Sequence, residues 1–322
     1  MKIFWRAVAG VLFLVLVGAM ILLRFPLWVN DQQIRFHLWQ NNVRSEFVEV
    51  GSDRVHYFEA VPPNHKEGIP LLLIHGLGAR GEDWAALMPG LAAAGFHVYA
   101  PDLIGYGRSP RPDISYSIGE EEAAVVAFMH TVHLTRVDVG GWSMGGWIAL
   151  KLTLDHPEMV DRLVVYDSAG VYFPPTDDVD LFTPTDEAGV RRLMAVLSPR
   201  PVNMPDFVAR DVLRKVQRNA WVIHRSMAEM LTGRDLLDFR LHRIQRPTLV
   251  VWGSRDDLIP LASGERMHEL IPGSTLDVVD GCGHLAPSEC WRPVLKCTVE
   301  FLKAQPTMLG GRRVVPGAEA GQ

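Results

Sequence analysis

Apolar runs alternate with helix-like patterns along most of this chain. Short runs rich in Val, Ile, Leu and aromatic residues are typical of strands, and the segments between them carry apolar residues at the three- and four-residue spacing of helices. The alternation predicts an α/β fold whose mostly parallel, eight-stranded sheet is flanked by helices. The predicted strands are 47–50, 54–59, 71–74, 97–100, 137–140, 163–167, 248–252 and 275–279.

The alternation stops between residues 171 and 244, where the chain is first Pro-rich and then helical. We interpret this stretch as a helical cap inserted into a core formed by residues 46–170 and 245–304. A helix-start signal lies at 183–186, because Thr, Ser, Asp and Asn favour the position before a helix. The apolar residues of two predicted amphipathic helices follow, with Val190, Leu193, Met194 and Leu197 in the first and Ile223, Met227, Met230 and Leu231 in the second.

The two ends of the chain differ from this core. Residues 7–23 carry no charge and are flanked by Lys2, Arg6 and Arg24, which predicts a single-pass membrane anchor over 1–30. A cleavable signal peptide is the alternative, but apolar residues follow the small-residue sequence at 17–19, and this favours an uncleaved anchor. Residues 31–45 are predicted to be a linker or a surface-lying stem, and the Gly- and Pro-rich residues 305–322 a disordered tail.

Composition limits the partners. A chain of 322 residues with 48% hydrophobic content can bury one large core with a small cap. Its net charge of −5 disfavours nucleic-acid binding. The three cysteines, Cys282, Cys290 and Cys297, are odd in number and contain no C-x-x-C pair, so we predict neither a disulfide framework nor a zinc site. Cys282 is expected to pack as a small apolar loop residue.

The side of the membrane stays open at this point. Lys2 and Arg6 on one side are opposed by Arg24 and the more distant Arg35 on the other, and this slight bias favours a cytoplasmic N-terminus with the globular part outside. Three unpaired cysteines would favour a reducing compartment instead.

The sequence Gly141-Trp142-Ser143-Met144-Gly145 lies between a predicted strand at 135–139 and a predicted helix at 144–154. G-x-S-x-G in this context is typical of a nucleophile elbow, in which a serine occupies a sharp strand-to-helix turn and the glycines allow close backbone approach. Ser143 is therefore the candidate nucleophile.

A serine hydroxyl needs a base and a group that orients the base. Asp256 and His284 each follow a predicted strand, and the order Ser, Asp, His is that of the α/β-hydrolase triad. Two other acids remain open: Asp257, next to Asp256, and Asp167, at the end of the preceding predicted strand. His268 lies in a helical pattern and is expected to face solvent.

An oxyanion formed at Ser143 would need two N–H donors. One is predicted to be the amide of Met144, directly after the nucleophile. The other is the amide of Leu77, because His75-Gly76-Leu77-Gly78 follows the third predicted strand directly.

These motifs resemble those of the α/β-hydrolase-fold serine hydrolases of the esterase and lipase type, over about residues 47–303. The resemblance also rests on Asp102-Leu-Ile-Gly-Tyr-Gly-Arg-Ser109 and Trp252-Gly-Ser-Arg-Asp256. Ser143 stands where the similar epoxide hydrolases and haloalkane dehalogenases use aspartate. The segment 167–170 and the N-terminal anchor further resemble membrane-associated monoacylglycerol lipases.

The resemblance implies a carboxylic ester hydrolase that forms an acyl-enzyme and needs no metal or organic cofactor. Its expected partners are a small-molecule ester or lipid substrate and, through the N-terminal helix, a membrane; the oligomeric state is left open. The methionines of the cap, Met194, Met204, Met227 and Met230, either line an acyl pocket or fill the core of the cap. Two alternatives remain: a hydrolase of carbon–carbon bonds in diketone-like ring-cleavage products, and a non-catalytic binding protein with the same fold.

Overall fold

The structure is a computed structural model that describes residues 1–63, 67–174, 180–201, 203–305 and 310–317. Its sheet contains β1 (Val43–Val50), β2 (Asp53–Ala60), β3 (Ile69–Ile74), β4 (Phe96–Pro101), β5 (Val137–Trp142), β6 (Val160–Tyr166), β7 (Thr248–Gly253), β8 (Thr275–Val279) and β9 (Arg312–Val315). The strand order is β1-β2-β4-β3-β5-β6-β7-β8-β9. β2 pairs antiparallel with both β1 and β4, and every later pair is parallel. The α/β fold with a mostly parallel sheet is confirmed.

The sheet has nine strands where the sequence pattern predicts eight. The extra strand, β9, lies within the stretch 305–322 that we expected to be disordered, so that expectation is wrong for Arg312–Val315. β9 pairs in parallel with β8, and the Arg313 guanidinium pairs with the buried Asp277 carboxylate. This ion pair and the strand pairing stabilise a segment whose own sequence is a weak strand signal. Residues 306–309 and 318–322 of the predicted tail lie outside the described residues.

Ten α-helices surround the sheet in the described part of the chain. They are α1 (Lys2–Arg24), α2 (Pro26–Gln40), α3 (Met88–Ala93), α4 (Ile118–Thr131), α5 (Met144–Asp155), α6 (Glu187–Leu197), α7 (Asp206–Leu231), α8 (Leu261–Leu270), α9 (Ala286–Glu289) and α10 (Trp291–Lys303). Both faces of the central strands are covered, as parallel strands require. Because side chains alternate along a strand, Leu72 and Ile74 of β3 join one buried cluster and Leu71 and Leu73 join the other.

The predicted linker over 31–45 is wrong, since α2 continues to Gln40 and β1 begins at Val43. Leu38 is only 1% exposed and belongs to the buried cluster that includes Val43 and Phe58. Burial of a leucine contributes about 2 kcal/mol, so α2 is held by packing rather than by its sequence pattern alone.

The first helix stands apart from this core. Its segment Phe4–Arg24 has a mean hydropathy of 2.5, and no residue in the most apolar part of this segment is buried. By length and composition, this is a helix that could cross a membrane or serve as a signal sequence.

Between β6 and β7 the chain forms the helices α6 and α7. The side chain of Asp186 accepts a hydrogen bond from the N–H of Gly189, so the predicted helix start is confirmed. α7 is 26 residues long, and its Val222 belongs to the larger of the two buried clusters. The two helices lie over the carboxyl end of the central strands. Residues 175–179 and 202 of the predicted cap lie outside the described part.

Candidate active site

Ser143 occupies a strained turn between β5 and α5. Its φ is 56°, a left-handed value that few residues other than glycine adopt. Its N–H donates to the carbonyl of Tyr166, 3.0 Å away, and its own carbonyl accepts from the N–H of Ala169 at 3.1 Å. A Cβ at Gly145 would clash with the carbonyl of Ile74, which explains the glycine at that position. The turn thus holds the Ser143 hydroxyl clear of the sheet.

The structure brings Ser143, His284 and Asp256 together from three separate loops. His284 Nε2 lies 2.9 Å from Ser143 Oγ, and His284 Nδ1 lies 2.8 Å from Asp256 Oδ2. A carboxylate only accepts hydrogen bonds, so Nδ1–H donates to Asp256 and Nε2 is left to accept from the serine hydroxyl. The imidazole and its carboxylate are buried, at 2% and 6% exposure, while Ser143 is half-buried.

Neighbouring groups fix this arrangement. The other oxygen of Asp256 accepts hydrogen bonds from the N–H groups of Leu258 and Ile259, each at 2.9 Å, so the carboxylate has one orientation. The indole N–H of Trp142 donates to the carbonyl of His284 at 2.8 Å. This role of Trp142 was not predicted from the sequence, although its position directly before Ser143 indicates that it lies close to the catalytic residues.

The competing residues lie elsewhere. Asp257 is exposed, and the ring of His268 is half-buried and hydrogen-bonds to Ser274. Asp167 is fully buried, and its Oδ1 accepts from the N–H of Gly253 at 2.7 Å. Burial and, secondarily, the charge of Asp256 raise the pKa of Asp167 well above its usual value. Of the three acids, Asp256 is the one that contacts His284 within the described structure.

The loop after β3 lies against the nucleophile. A Cβ added at Gly76 would stand 3.0 Å from the Cβ of Ser143. Among the described residues, the N–H groups of Leu77 and Met144 have no hydrogen-bond partner, which leaves both available to a ligand. His75 fixes the conformation of this loop through two hydrogen bonds. Its Nδ1–H donates to the carbonyl of Gly76 at 2.9 Å, and its Nε2 accepts from the N–H of Leu103 at 3.0 Å. Burial lowers the pKa of His75, which favours the neutral ring that this bonding requires.

Ser143 and His284 line a cavity of about 1540 Å³. Three walls enclose it: the catalytic loops, the cap helices and, unexpectedly, α2. Its main apolar side chains are Leu77, Trp142, Phe182, Leu193, Met194, Leu197, Ile223, Leu285 and Trp291, and the residues from α2 are Leu27, Asn30, Gln33, Ile34 and His37. Of the four cap methionines, all of which lie in the described part of the chain, Met194 alone lines this cavity. Met204 lines a separate pocket of about 280 Å³, which Met194 also lines.

The cysteines differ from our expectation. Cys282 and Cys290 form a disulfide, with Cα atoms 6.4 Å apart, and Cys297 is a buried free thiol. The prediction of no disulfide is therefore wrong, because an odd number of cysteines is also compatible with one disulfide and one free thiol. In the described ranges, no three His, Cys, Asp or Glu side chains are grouped to hold a metal ion.

Comparison with known proteins places the chain in a family. The sequence model of the alpha/beta hydrolase fold matches residues 69–289. The 2-hydroxymuconate semialdehyde hydrolase of Pseudomonas sp. strain CF600 is 32% identical over 235 residues, which cover 67% of this chain and 81% of that protein. The crystal structure of a membrane phospholipase A, described as a bacterial virulence factor, has a TM-score of 0.78 and 25% identity, covering 94% of this chain and 98% of its own.

A second similar structure is that of a meta-cleavage product hydrolase, with a TM-score of 0.71 and 24% identity, covering 82% of this chain and 98% of its own. At that identity the likeness concerns the fold alone. Together with the family match, these similarities agree with the sheet order and the strand-to-helix turn at Ser143. This chain belongs to the alpha/beta hydrolase fold family.

Proposed function

We propose that this protein is a serine ester hydrolase that cleaves medium- to long-chain acyl esters. The observation that carries the proposal is the chain of hydrogen bonds from Ser143 through His284 to Asp256, on the floor of a large cavity with apolar walls. A buried carboxylate, an oriented imidazole and a half-exposed hydroxyl are the groups that acyl transfer needs.

In the proposed mechanism, Ser143 Oγ attacks the ester carbonyl while its proton passes to His284 Nε2. Asp256 keeps the imidazole in the tautomer that accepts this proton and stabilises the imidazolium that forms. The N–H groups of Leu77 and Met144 donate to the oxyanion. His284 then protonates the leaving alcohol, and water hydrolyses the acyl-enzyme by the same steps.

Two observations favour a lipid substrate. The cavity can hold a long acyl chain, and it extends to Leu27, which is three residues after the apolar helix α1 ends at Arg24. We propose that α1 is a single-pass membrane anchor, so that a lipid ester such as a monoacylglycerol would meet the cavity at high local concentration. The similar membrane phospholipase A is consistent with this proposal.

A second function is favoured by a different observation. The 32% identical relative is a 2-hydroxymuconate semialdehyde hydrolase, and Ser143, His284 and Asp256 could equally serve the hydrolysis of a carbon–carbon bond. Such an enzyme would have no evident use for α1 and for a cavity wall built by α2, which is why we rank it second.

A direct comparison of substrates tests the ranking. The detergent-solubilised full-length protein is assayed with acyl esters of increasing chain length, including monoacylglycerols, and with a vinylogous diketone ring-cleavage product. Ser143→Ala, folded as judged by circular dichroism, gives the background. We expect ester hydrolysis that rises with chain length. Turnover of the diketone without turnover of any ester would reverse the ranking.

A further inference from the structure

The disulfide closes the segment that carries His284. Cys282 precedes His284 by two residues and Cys290 follows it by six. Both cysteines are only 1% exposed. Cys282 lies in the loop after β8, and Cys290 is the residue directly before α10. The bond therefore ties the two ends of the histidine segment to each other.

The disulfide adds a covalent restraint to a segment that packing and a few hydrogen bonds also hold, since Ala286 and Pro287 of α9 are buried. Gly281 has a φ of 70°, a left-handed value that glycine adopts readily, so the backbone there is intrinsically flexible, whereas Gly283 is packed closely against Pro199. The carbonyl of His284 accepts the Trp142 indole N–H, and the carbonyl of Cys282 accepts the N–H of Arg255 at 2.8 Å. Arg255 precedes Asp256, and Cys290 leads into α10, which packs on β7 and β8. The disulfide therefore connects the turn that carries Asp256, which contacts Cys282 through Arg255, to α10, which begins directly after Cys290.

We propose that the Cys282–Cys290 disulfide positions His284 between Ser143 and Asp256, and that the globular domain therefore works on the oxidising, non-cytoplasmic side of the membrane. The first half of this inference rests on the proposed function, and the second half does not. Cys282 and Cys290 are positioning residues, since neither reaches the reacting atoms. Closing the bond removes one proton and one electron from each thiol, and thiol–disulfide exchange passes both protons and both electrons to a disulfide-donating oxidant of that compartment, which is released as a dithiol.

The compartment follows from redox chemistry and from charge. Disulfides persist in secreted, periplasmic and lumenal proteins and are rare in the reducing cytosol. Lys2 and Arg6, which precede the uncharged residues 7–23, favour the same orientation, with a cytoplasmic N-terminus. The third cysteine offers no competing partner, because Cys297 is 2% exposed and its thiol donates to the carbonyl of Pro293 at 2.7 Å.

A thiol count tests the compartment. Membranes from cells that express the full-length protein are denatured in the presence of a polyethylene-glycol maleimide, with and without prior reduction. We expect a single addition, at Cys297, before reduction and three additions after it. Three additions before reduction would overturn the inference, and Cys297→Ser identifies which addition belongs to the free thiol.

Kinetics test the positioning role. The purified enzyme is assayed with a soluble short-chain ester as isolated, after treatment with dithiothreitol, and after reoxidation. We expect reduction to lower kcat by about 10- to 100-fold with little change in KM, since a displaced base slows chemistry rather than binding, and reoxidation to restore it. Cys282→Ser with Cys290→Ser should match the reduced enzyme, and Cys297→Ser should match the untreated wild type.

Full kcat in the reduced wild-type enzyme would contradict the positioning role, and this result does not depend on whether the double variant folds. Failure of the proposed function would show differently, because the oxidised wild type would then be inactive before any reductant is added.

Discussion

The Arg80 guanidinium forms a two-point ion pair with the carboxylate of Asp31, with N–O distances of 2.6 and 3.1 Å. Arg80 lies three residues after Leu77, in the loop that approaches Ser143, and Asp31 lies in α2. Both side chains are mostly buried, at 16% and 14% exposure. The helix that follows the apolar α1 is thereby attached to the loop that supplies a candidate oxyanion donor.

We expect Asp31→Asn to lower the free energy of unfolding by about 1–3 kcal/mol near neutral pH, because it leaves Arg80 without this partner. Burial alone would raise the pKa of Asp31, but hydrogen bonds and charge from Arg80, with the charges of Lys215 and Arg35, outweigh it and hold the pKa below its usual value. A lowered carboxyl pKa stabilises the folded state above the unfolded pKa, and this contribution is lost as pH falls through the folded value.

The difference between wild type and Asp31→Asn should therefore shrink on acidification below about pH 4. Denaturant unfolding of the solubilised full-length protein at several pH values measures it. Glu49→Gln, which removes an exposed ion pair with Arg54, is the control and should change stability by less than about 0.5 kcal/mol. A difference that does not vary with pH would be inconsistent with this explanation.

Substitutions of the two buried acids should have unequal effects on catalysis. Asp256→Asn removes the acceptor for His284 Nδ1–H and should lower kcat by about 10⁴-fold. Asp167→Asn should change kcat only a few-fold, because Asp256 is the acid that contacts His284 and an asparagine oxygen at position 167 can still accept from the Gly253 N–H. The measurement is kcat of the two variants from steady-state kinetics, compared with kcat of the wild type. Equal losses would assign part of the acid's role to Asp167.

Asp138 should destabilise the folded protein at alkaline pH. It lies in β5, it is 3% exposed, and burial raises its pKa to about 7. Between its unfolded pKa and about pH 7, the folded state holds a proton that the unfolded state releases, so the free energy of unfolding falls as pH rises through this window.

Asp138→Asn removes this cost, and we expect it to stabilise the protein at about pH 8 by up to about 4 kcal/mol, with little effect near pH 4. Denaturant unfolding at both pH values provides the measurement. Glu265→Gln, which removes an exposed ion pair with Arg312, serves as the control. Equal stabilisation at both pH values would rule out titration of Asp138 as the cause.

Met194 should influence the length of acyl chain that the enzyme accepts. It lines the cavity that contains Ser143, whereas Met204 lines only the smaller pocket. A tryptophan at position 194 would fill part of the cavity, so Met194→Trp should lower kcat/KM for a dodecanoyl ester by about tenfold or more while hydrolysis of an acetyl ester is retained. Met204→Trp should leave the chain-length profile unchanged. If the two variants had the same profile, the acyl chain would lie elsewhere.

The parts of the fold that the sequence predicted are those specified locally. The turn at Ser143 depends on glycines two residues away, and the start of α6 depends on Asp186, so both could be identified from short motifs. The other features depend on contacts between distant residues. α2 is held by burial of Leu38, and β9 by the pairing of Arg313 with Asp277. Neither contact leaves a periodic signal in the sequence.

The same distinction applies to the site. Ser143, Asp256 and His284 each lie in a recognisable local context, but the choice of Asp256 over Asp167 needed the contact with His284 that the folded chain forms. The disulfide could not be inferred from three cysteines, because pairing requires Cα atoms within about 7 Å and this distance exists only in the folded chain. The cavity wall supplied by α2 was missed for the same reason.

Covalent labelling tests the central claim most directly. The full-length protein is treated with a fluorophosphonate, digested and analysed by mass spectrometry, with Ser143→Ala as the control. We expect one adduct, on the peptide that contains Ser143, and no adduct in the control. A wild-type protein that takes no label, or takes it at another residue, would contradict the assignment of Ser143 as the nucleophile and would favour a non-catalytic binding protein or a different site.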